Sequence, residues 1–217
     1  MESAKGKKLV HLEHVIRRVS VGFIVCIWIL APYILLQQFS LYEVTWLQET
    51  ALDKMVPVYL GAVYIYFSYY LILAWAGFAV RRAVFVRFMK AVCMVALVSH
   101  LCFFFFPTGV SREGIDMSNA PMLYEWLVGW EKPRNCLPSL HGSLATLAMF
   151  ALWQKGTISG MIASCWWAGV MWSTIALRQH VIIDLGAGIL LAAVVWFVVV
   201  RKSSFPEAES VQKSEEA

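Results

Sequence analysis

Six long apolar runs, at about 19–37, 56–80, 88–106, 140–153, 158–177 and 181–200, constrain this chain more than anything else in it. A helix needs ~20 apolar residues to cross bilayer hydrocarbon, and most of the runs approach that length. The fourth is short if it begins at Leu140. Backbone groups facing lipid must be paired within their own segment, which selects helices. The expectation is an all-α integral membrane protein, a bundle of six transmembrane helices. Composition agrees: 60% of residues are hydrophobic and 15% charged, against about half and a quarter in soluble domains.

The first run reads as an uncleaved anchor, because no small-x-small cleavage site precedes the polar segment around Gln37. Ahead of it, KLVHLEHVIRRVS places Leu9, Leu12, Ile16 and Val19 at helical spacing, a pattern suited to a helix lying on the membrane surface. Three parts follow: a basic, amphipathic segment 1–18, a six-span domain 19–200, and a polar tail 201–217 with the composition of a disordered segment.

Basic residues orient the bundle. With six spans, 13 of the 18 Lys and Arg fall on one side, among them Lys5, Lys7, Lys8, Arg17, Arg18, Arg81, Arg82, Arg87 and Lys90. That side is expected to be cytoplasmic, with both termini inside. Lys54, Arg112, Lys132, Arg134 and Arg178 fall on the other side. The net charge of +4 is thus mostly anchoring. No compact basic, aromatic-interleaved surface argues for nucleic acid as a partner, and nothing specifies an oligomeric state. Cys26, Cys93, Cys102, Cys136 and Cys165 are scattered and odd in number, which argues against a disulfide framework or a zinc module.

The outer face collects the unusual residues. The third span ends at FFFFPTGVSRE, the fourth begins at PSLHGS, and the sixth at LRQHVIID. Arg112, Ser139, His141, Arg178, His180 and Asp184 thereby reach one leaflet from three distant segments. Asp184 lies about a turn into an apolar helix, where an unpaired carboxylate is costly. His180 is four residues earlier, on the same helical face. Nδ1–H of His180 could donate to Asp184, leaving Nε2 as a nucleophile. His141 could protonate a leaving oxygen. Arg112 and Arg178 could hold phosphoryl oxygens, as could the helix N-terminal amides around Ser139 and Leu140. Glu43, Glu49 and Asp53 read as decoration of the first outer loop, and His100 as a packed or helix-linking residue.

PSLHGS and RQHVIID resemble the second and third signatures of the type 2 phosphatidic acid phosphatase superfamily, P-S-G-H and S-R-x5-H-x3-D. FPTGVSRE, NCLPSLH and RQHVIIDLGAG look more specifically like its inositol phosphorylceramide synthase-like branch. The resemblance covers about residues 105–190. It implies a six-helix core, an active site near the outer surface, and phosphoryl transfer through a phosphohistidine with no metal or cofactor. His180 would be the nucleophile, Asp184 its partner and His141 the acid, with Ser139 and Arg178 as phosphate ligands. Arg112 would match the arginine of the first signature, K-x6-R-P. That signature is degraded: Phe105 stands at its lysine and Glu113 at its proline. Lys132 or Arg134 could supply the missing charge.

The leading expectation is a membrane lipid-phosphate phosphatase whose substrate is a lipid phosphomonoester or diphosphate. The runner-up is a phosphotransferase in which an alcohol replaces water. A transporter using His100, His141, His180 and Asp184 as a metal or proton path is a third reading, weakened because the spans carry hardly any ionisable groups toward the cytoplasmic leaflet. A catalytically dead scaffold is a fourth, and the intact His141, His180 and Asp184 set weighs against it.

Overall fold

The apolar runs do become helices. The computed structural model describes residues 2–202, and side chains for 12–199. The chain runs α1 (Glu2–Gln38), β1 (Thr45–Leu47), α2 (Ala51–Met55), a 3₁₀ turn Leu60–Ala62, α3 (Val63–Phe67), α4 (Tyr69–Ala79), α5 (Arg82–Phe105), β2 (Thr108–Val110), α6 (Met122–Trp130), α7 (Leu140–Trp153), α8 (Thr157–Ala176) and α9 (Ile182–Lys202).

Among the described residues, four segments are long and apolar enough to cross a membrane: Leu12–Gln38, Leu60–Ala79, Arg82–Phe105 and Ile182–Val199. The other two expected spans fall short for different reasons. α7 has 14 residues, a rise of about 21 Å. α8 has 20 residues, but its Thr, Ser and Gly dilute its apolar character. The expected division at residue 18 has no structural counterpart, since α1 passes through it unbroken, with Pro32 inside. Leu12, Ile16 and Val19 are about half exposed; Leu9 lies outside the described side chains, and 203–217 of the expected tail lie outside the described residues. Arg82, Arg87 and Lys90, expected in a loop, belong to the first turns of α5.

α7 is the centre of the bundle, packed against α4, α5, α8 and α9. Its short side chains explain why. Ala145, Ala148 and Ala151 are fully buried beside Leu147 and Leu152, and small residues let apolar helices approach closely. The closest approach is to α9. A Cβ on Gly188 would lie 2.3 Å from the Ser139 carbonyl oxygen, and the Ser143 hydroxyl donates to the Gly188 carbonyl at 2.9 Å. The first turn of α7 and the first two turns of α9 are therefore fixed together.

The end of the bundle holding those turns carries a feature not anticipated in an all-helical reading. β1 and β2 pair in parallel, with Thr45 opposite Thr108 and Leu47 opposite Val110. Gly109 also bridges Arg134. No side chain fits there, since an added Cβ would lie 2.5 Å from the Pro133 carbonyl oxygen. The Leu137 amide donates to Thr108 Oγ1 at 2.8 Å. This small sheet straps the segment before α7 against the end of α5.

Asp53 corrects another expectation. It is fully buried rather than decorating a loop. Its carboxylate accepts from the Thr50 amide and hydroxyl at 2.7 and 2.6 Å and from the Ile182 amide at 2.7 Å. The last is an unpaired donor at the start of α9, so Asp53 caps that helix from across the chain. Burial alone would raise its pKa; the Thr50 and Ile182 hydrogen bonds and the nearby Arg178 charge outweigh it and hold the carboxyl below the usual range.

Candidate active site

Helix capping builds the site. α9 begins at Ile182, so Asp184 is its third residue, where a carboxylate can reach back to the N-cap amide. It does so, accepting from the Val181 amide at 3.1 Å through Oδ1. Oδ2 lies 3.0 Å from His180 Nδ1. His180 sits in the turn before the helix, where its amide and that of Gln179 donate to the Thr174 carbonyl. The four-residue spacing thus brings the pair together through a cap and not along a helical face.

α7 starts against this turn. The Ser139 amide donates to the Asp184 carbonyl at 2.9 Å, and Ser139 Oγ caps the Gly142 amide at 3.1 Å. Two residues into α7, His141 turns Nδ1 toward His180 Nε2 at 3.4 Å. Its Nε2 lies 2.8 Å from the Tyr66 hydroxyl, which is 3.4 Å from Glu131 Oε2. Tyr33 donates to the other Glu131 oxygen at 2.6 Å. The sequence singled out neither Tyr66 nor Glu131. Glu131, just after α6, carried a weak signal as a carboxylate at an apolar boundary; Tyr66 lies within a tyrosine-rich run that marks no one position.

One proton arrangement satisfies the whole line. With a proton on each His141 nitrogen, Tyr66 O–H donates to Glu131 Oε2, His141 Nε2–H to the Tyr66 oxygen, His141 Nδ1–H to His180 Nε2, and His180 Nδ1–H to Asp184. The Tyr66–His141 contact is short and the His141–His180 contact long. An electrophile entering between the imidazoles would meet the His180 lone pair and the His141 proton together.

The expected cations divide. Arg112 joins the site: it donates to the Glu131 carbonyl oxygen at 2.8 Å and to Gln179 Oε1. Arg112 Nε and Gln179 Nε2 are buried with no partner, and buried donors are seldom left so. Arg178 does not join. Its φ is 52°, and its guanidinium pairs with Glu49 at 3.0 Å and donates to the carbonyls of Asp53 and Val56. Expected as a phosphate ligand, it instead ties α2 to the α8–α9 turn, because the left-handed backbone sends its side chain that way. Ser139 spends its oxygen on the helix cap, while the Leu140 and His141 amides have no partner among the described residues. Lys132 is exposed, and Arg134 is engaged through its backbone bridge to Gly109.

A cavity of about 320 Å³ opens beside His141, lined by Tyr66, Tyr69, Trp126, Trp130 and Glu131 among others. On the far side of His180 lies Cys136, which is buried. Burial, reinforced by the Asp184 carboxylate, pushes its thiol pKa well up. Cys136, His180 and Asp184 each offer a donor atom within 4.8 Å of the others, a set that could hold a divalent ion if the thiol lost its proton. His100 stays apart, buried on α5 with its Nε2 lacking a partner among the described residues.

No protein-family model matches the chain, and no match is found among curated proteins or among solved structures.

Proposed function

We propose that the chain is an integral membrane phosphatase that cleaves a lipid phosphate through a phosphohistidine on His180. The observation that carries this reading is the hydrogen-bonded line Asp184–His180–His141, with the unpartnered donors of Arg112 and Gln179 beside it. The motif resemblance of PSLHGS and RQHVIID to type 2 phosphatidic acid phosphatases points the same way.

The roles follow from the atoms. His180 Nε2 attacks phosphorus while its Nδ1–H is held by Asp184, which stabilises the imidazolium as it forms. Arg112 Nε, Gln179 Nε2 and the Leu140 and His141 amides receive the equatorial oxygens. The P–O bond to the lipid alcohol breaks, and His141, entering as the imidazolium with its Nε2–H held by the Tyr66 oxygen, gives its Nδ1 proton to the departing oxygen and becomes neutral. The same nitrogen then takes a proton from water as its oxygen attacks phosphorus, the P–N bond breaks, and inorganic phosphate leaves. Glu131 and Tyr66 support the charge changes on His141 from its far side.

The bundle orientation in this reading is the one set by the basic residues: six crossings, with the buried α7 and the half-exposed α8 added to the four apolar segments. Both termini are cytoplasmic and the site opens outward, where the aromatic cavity beside His141 takes the head of a lipid from the membrane. Transfer to an alcohol would use the same phosphoenzyme. A second reading, a metal centre, is favoured only by the Cys136, His180 and Asp184 set, in which His180 Nδ1 and Asp184 already satisfy each other.

Phosphate release from lipid monophosphates, measured with purified protein in EDTA and with added alcohols, tests the proposal. Turnover is expected to survive chelation and to vanish in His180→Ala. Activity that disappears with EDTA and returns with zinc would replace it with the metal reading.

A further inference from the structure

At the end of the bundle away from His141 and His180, a groove of about 1110 Å³ runs between α1 and α5 and reaches Val199 of α9. Its walls are apolar along most of their length, with Val21 and Val25 from α1 and Phe85, Met89 and Met94 from α5. Its rim is basic: Arg17, Arg18, Arg82, Arg87 and Lys90 line it beside His14, and no Asp or Glu among the described side chains does.

The cations differ in how they are used. Arg18 is spent on structure, donating to the carbonyls of Gly77, Phe78 and Val80 at the end of α4 and lying over the Phe85 ring. Arg17, Arg82, Arg87 and Lys90 make no hydrogen bond or ion pair with any described residue. Four like charges around one opening repel each other, and an anion among them relieves that.

We infer that this groove is a binding site for an anionic phospholipid, with the phosphate held by Arg17, Arg82, Arg87 and Lys90 and an acyl chain along α1 and α5. Length favours a lipid over a soluble phosphate. From Arg82 to Met94 the wall of α5 rises about 18 Å, close to half of a ~30 Å hydrocarbon core. A free anion would use the rim and none of the wall. The site holds a structural lipid, so it stands independently of the phosphoryl-transfer reading.

Native mass spectrometry of the full chain from neutral detergent, with added phosphatidylglycerol or phosphatidylcholine, reads retention directly. Phosphatidylglycerol is expected to stay bound and phosphatidylcholine to leave. The exposed or half-exposed positions allow Arg82→Gln, Arg87→Gln and Lys90→Gln together without disturbing the core. At roughly fivefold per basic residue, that triple variant should weaken retention roughly 100-fold. Arg82→Lys with Arg87→Lys should preserve it, which separates lost charge from lost fold. Equal retention of both lipids, or an unaffected triple variant, overturns the site. So does full competition by glycerol phosphate at matched concentration, which would make the ligand a soluble anion. Retention that appears only after deletion of 203–217 would make that acidic segment the occupant and overturn it too.

Discussion

Gly188 tests how the site is held together, because a single methyl group there reaches the backbone of the helix that carries His141. An alanine Cβ would sit 2.3 Å from the Ser139 carbonyl oxygen and 3.1 Å from Ser143 Oγ. Ordinary contact begins about 1 Å further out, so α9 must withdraw from the first turn of α7 by nearly that much. Overpacking of this kind costs about 1–3 kcal/mol, which for a chain of this size lowers Tm by roughly 2–12 °C. The same displacement separates His141 from His180, and ~1 Å of misplacement can cost a reaction about 100-fold. Gly186 is the internal control, two residues away in the same helix with nothing within 4 Å of its added Cβ. Alanine there removes backbone freedom from the unfolded chain and should stabilise by about 0.5–1 kcal/mol. The assay is thermal unfolding of both variants in one detergent, followed by turnover at a temperature where both are folded. If Gly188→Ala melts with or above Gly186→Ala, the two helices are not locked at this crossing and the reasoning fails.

Asp53→Asn is expected to lower Tm at neutral pH, since losing a cap costs about 0.5–2 kcal/mol. The Asp53 pKa is depressed in the fold, so its contribution is complete above the unfolded carboxylate range and is lost as pH falls through the folded value; the Tm gap between wild type and variant should narrow from pH 7 toward pH 3, and a gap independent of pH would contradict the cap. Cys136, buried and with its thiol pKa raised, should resist maleimide in the folded protein and react once SDS unfolds it; early labelling at Cys136, read by peptide mass, would contradict the packing before α7. Tyr66→Phe removes only the hydroxyl that meets His141 Nε2 and should slow cleavage of a lipid monophosphate about tenfold, the scale of one hydrogen bond, while sparing an activated aryl phosphate whose leaving group needs no proton; equal losses on both would make Tyr66 a packing residue.

The parts of this arrangement legible in the sequence are those set by local spacing. Apolar run length marked all four long segments, and the four-residue spacing marks His180 and Asp184 as a pair, though their contact runs through a helix cap and not along a helical face. What the sequence hid is tertiary. Asp53 looked like a surface acid, but its capping partner is 129 residues away, a contact no local pattern announces. Arg178 carries the charge suited to a phosphate, yet its left-handed φ and the distant Glu49 send it elsewhere. Tyr66 and Glu131 meet His141 only because α3 and the end of α6 converge on α7. The short fourth run looked like a deficient span; its alanines and glycine are what let α7 occupy the centre.

The central claim, a covalent bond from phosphorus to His180, is tested most directly by trapping it. Purified protein incubated with a ³²P-labelled lipid monophosphate and quenched into alkaline denaturant should carry label that survives alkali and is lost in acid, as a P–N bond requires. Peptide mapping should place it at His180, with no label in His180→Ala. An alkali-labile label on another residue, or full turnover in His180→Ala, would contradict the account.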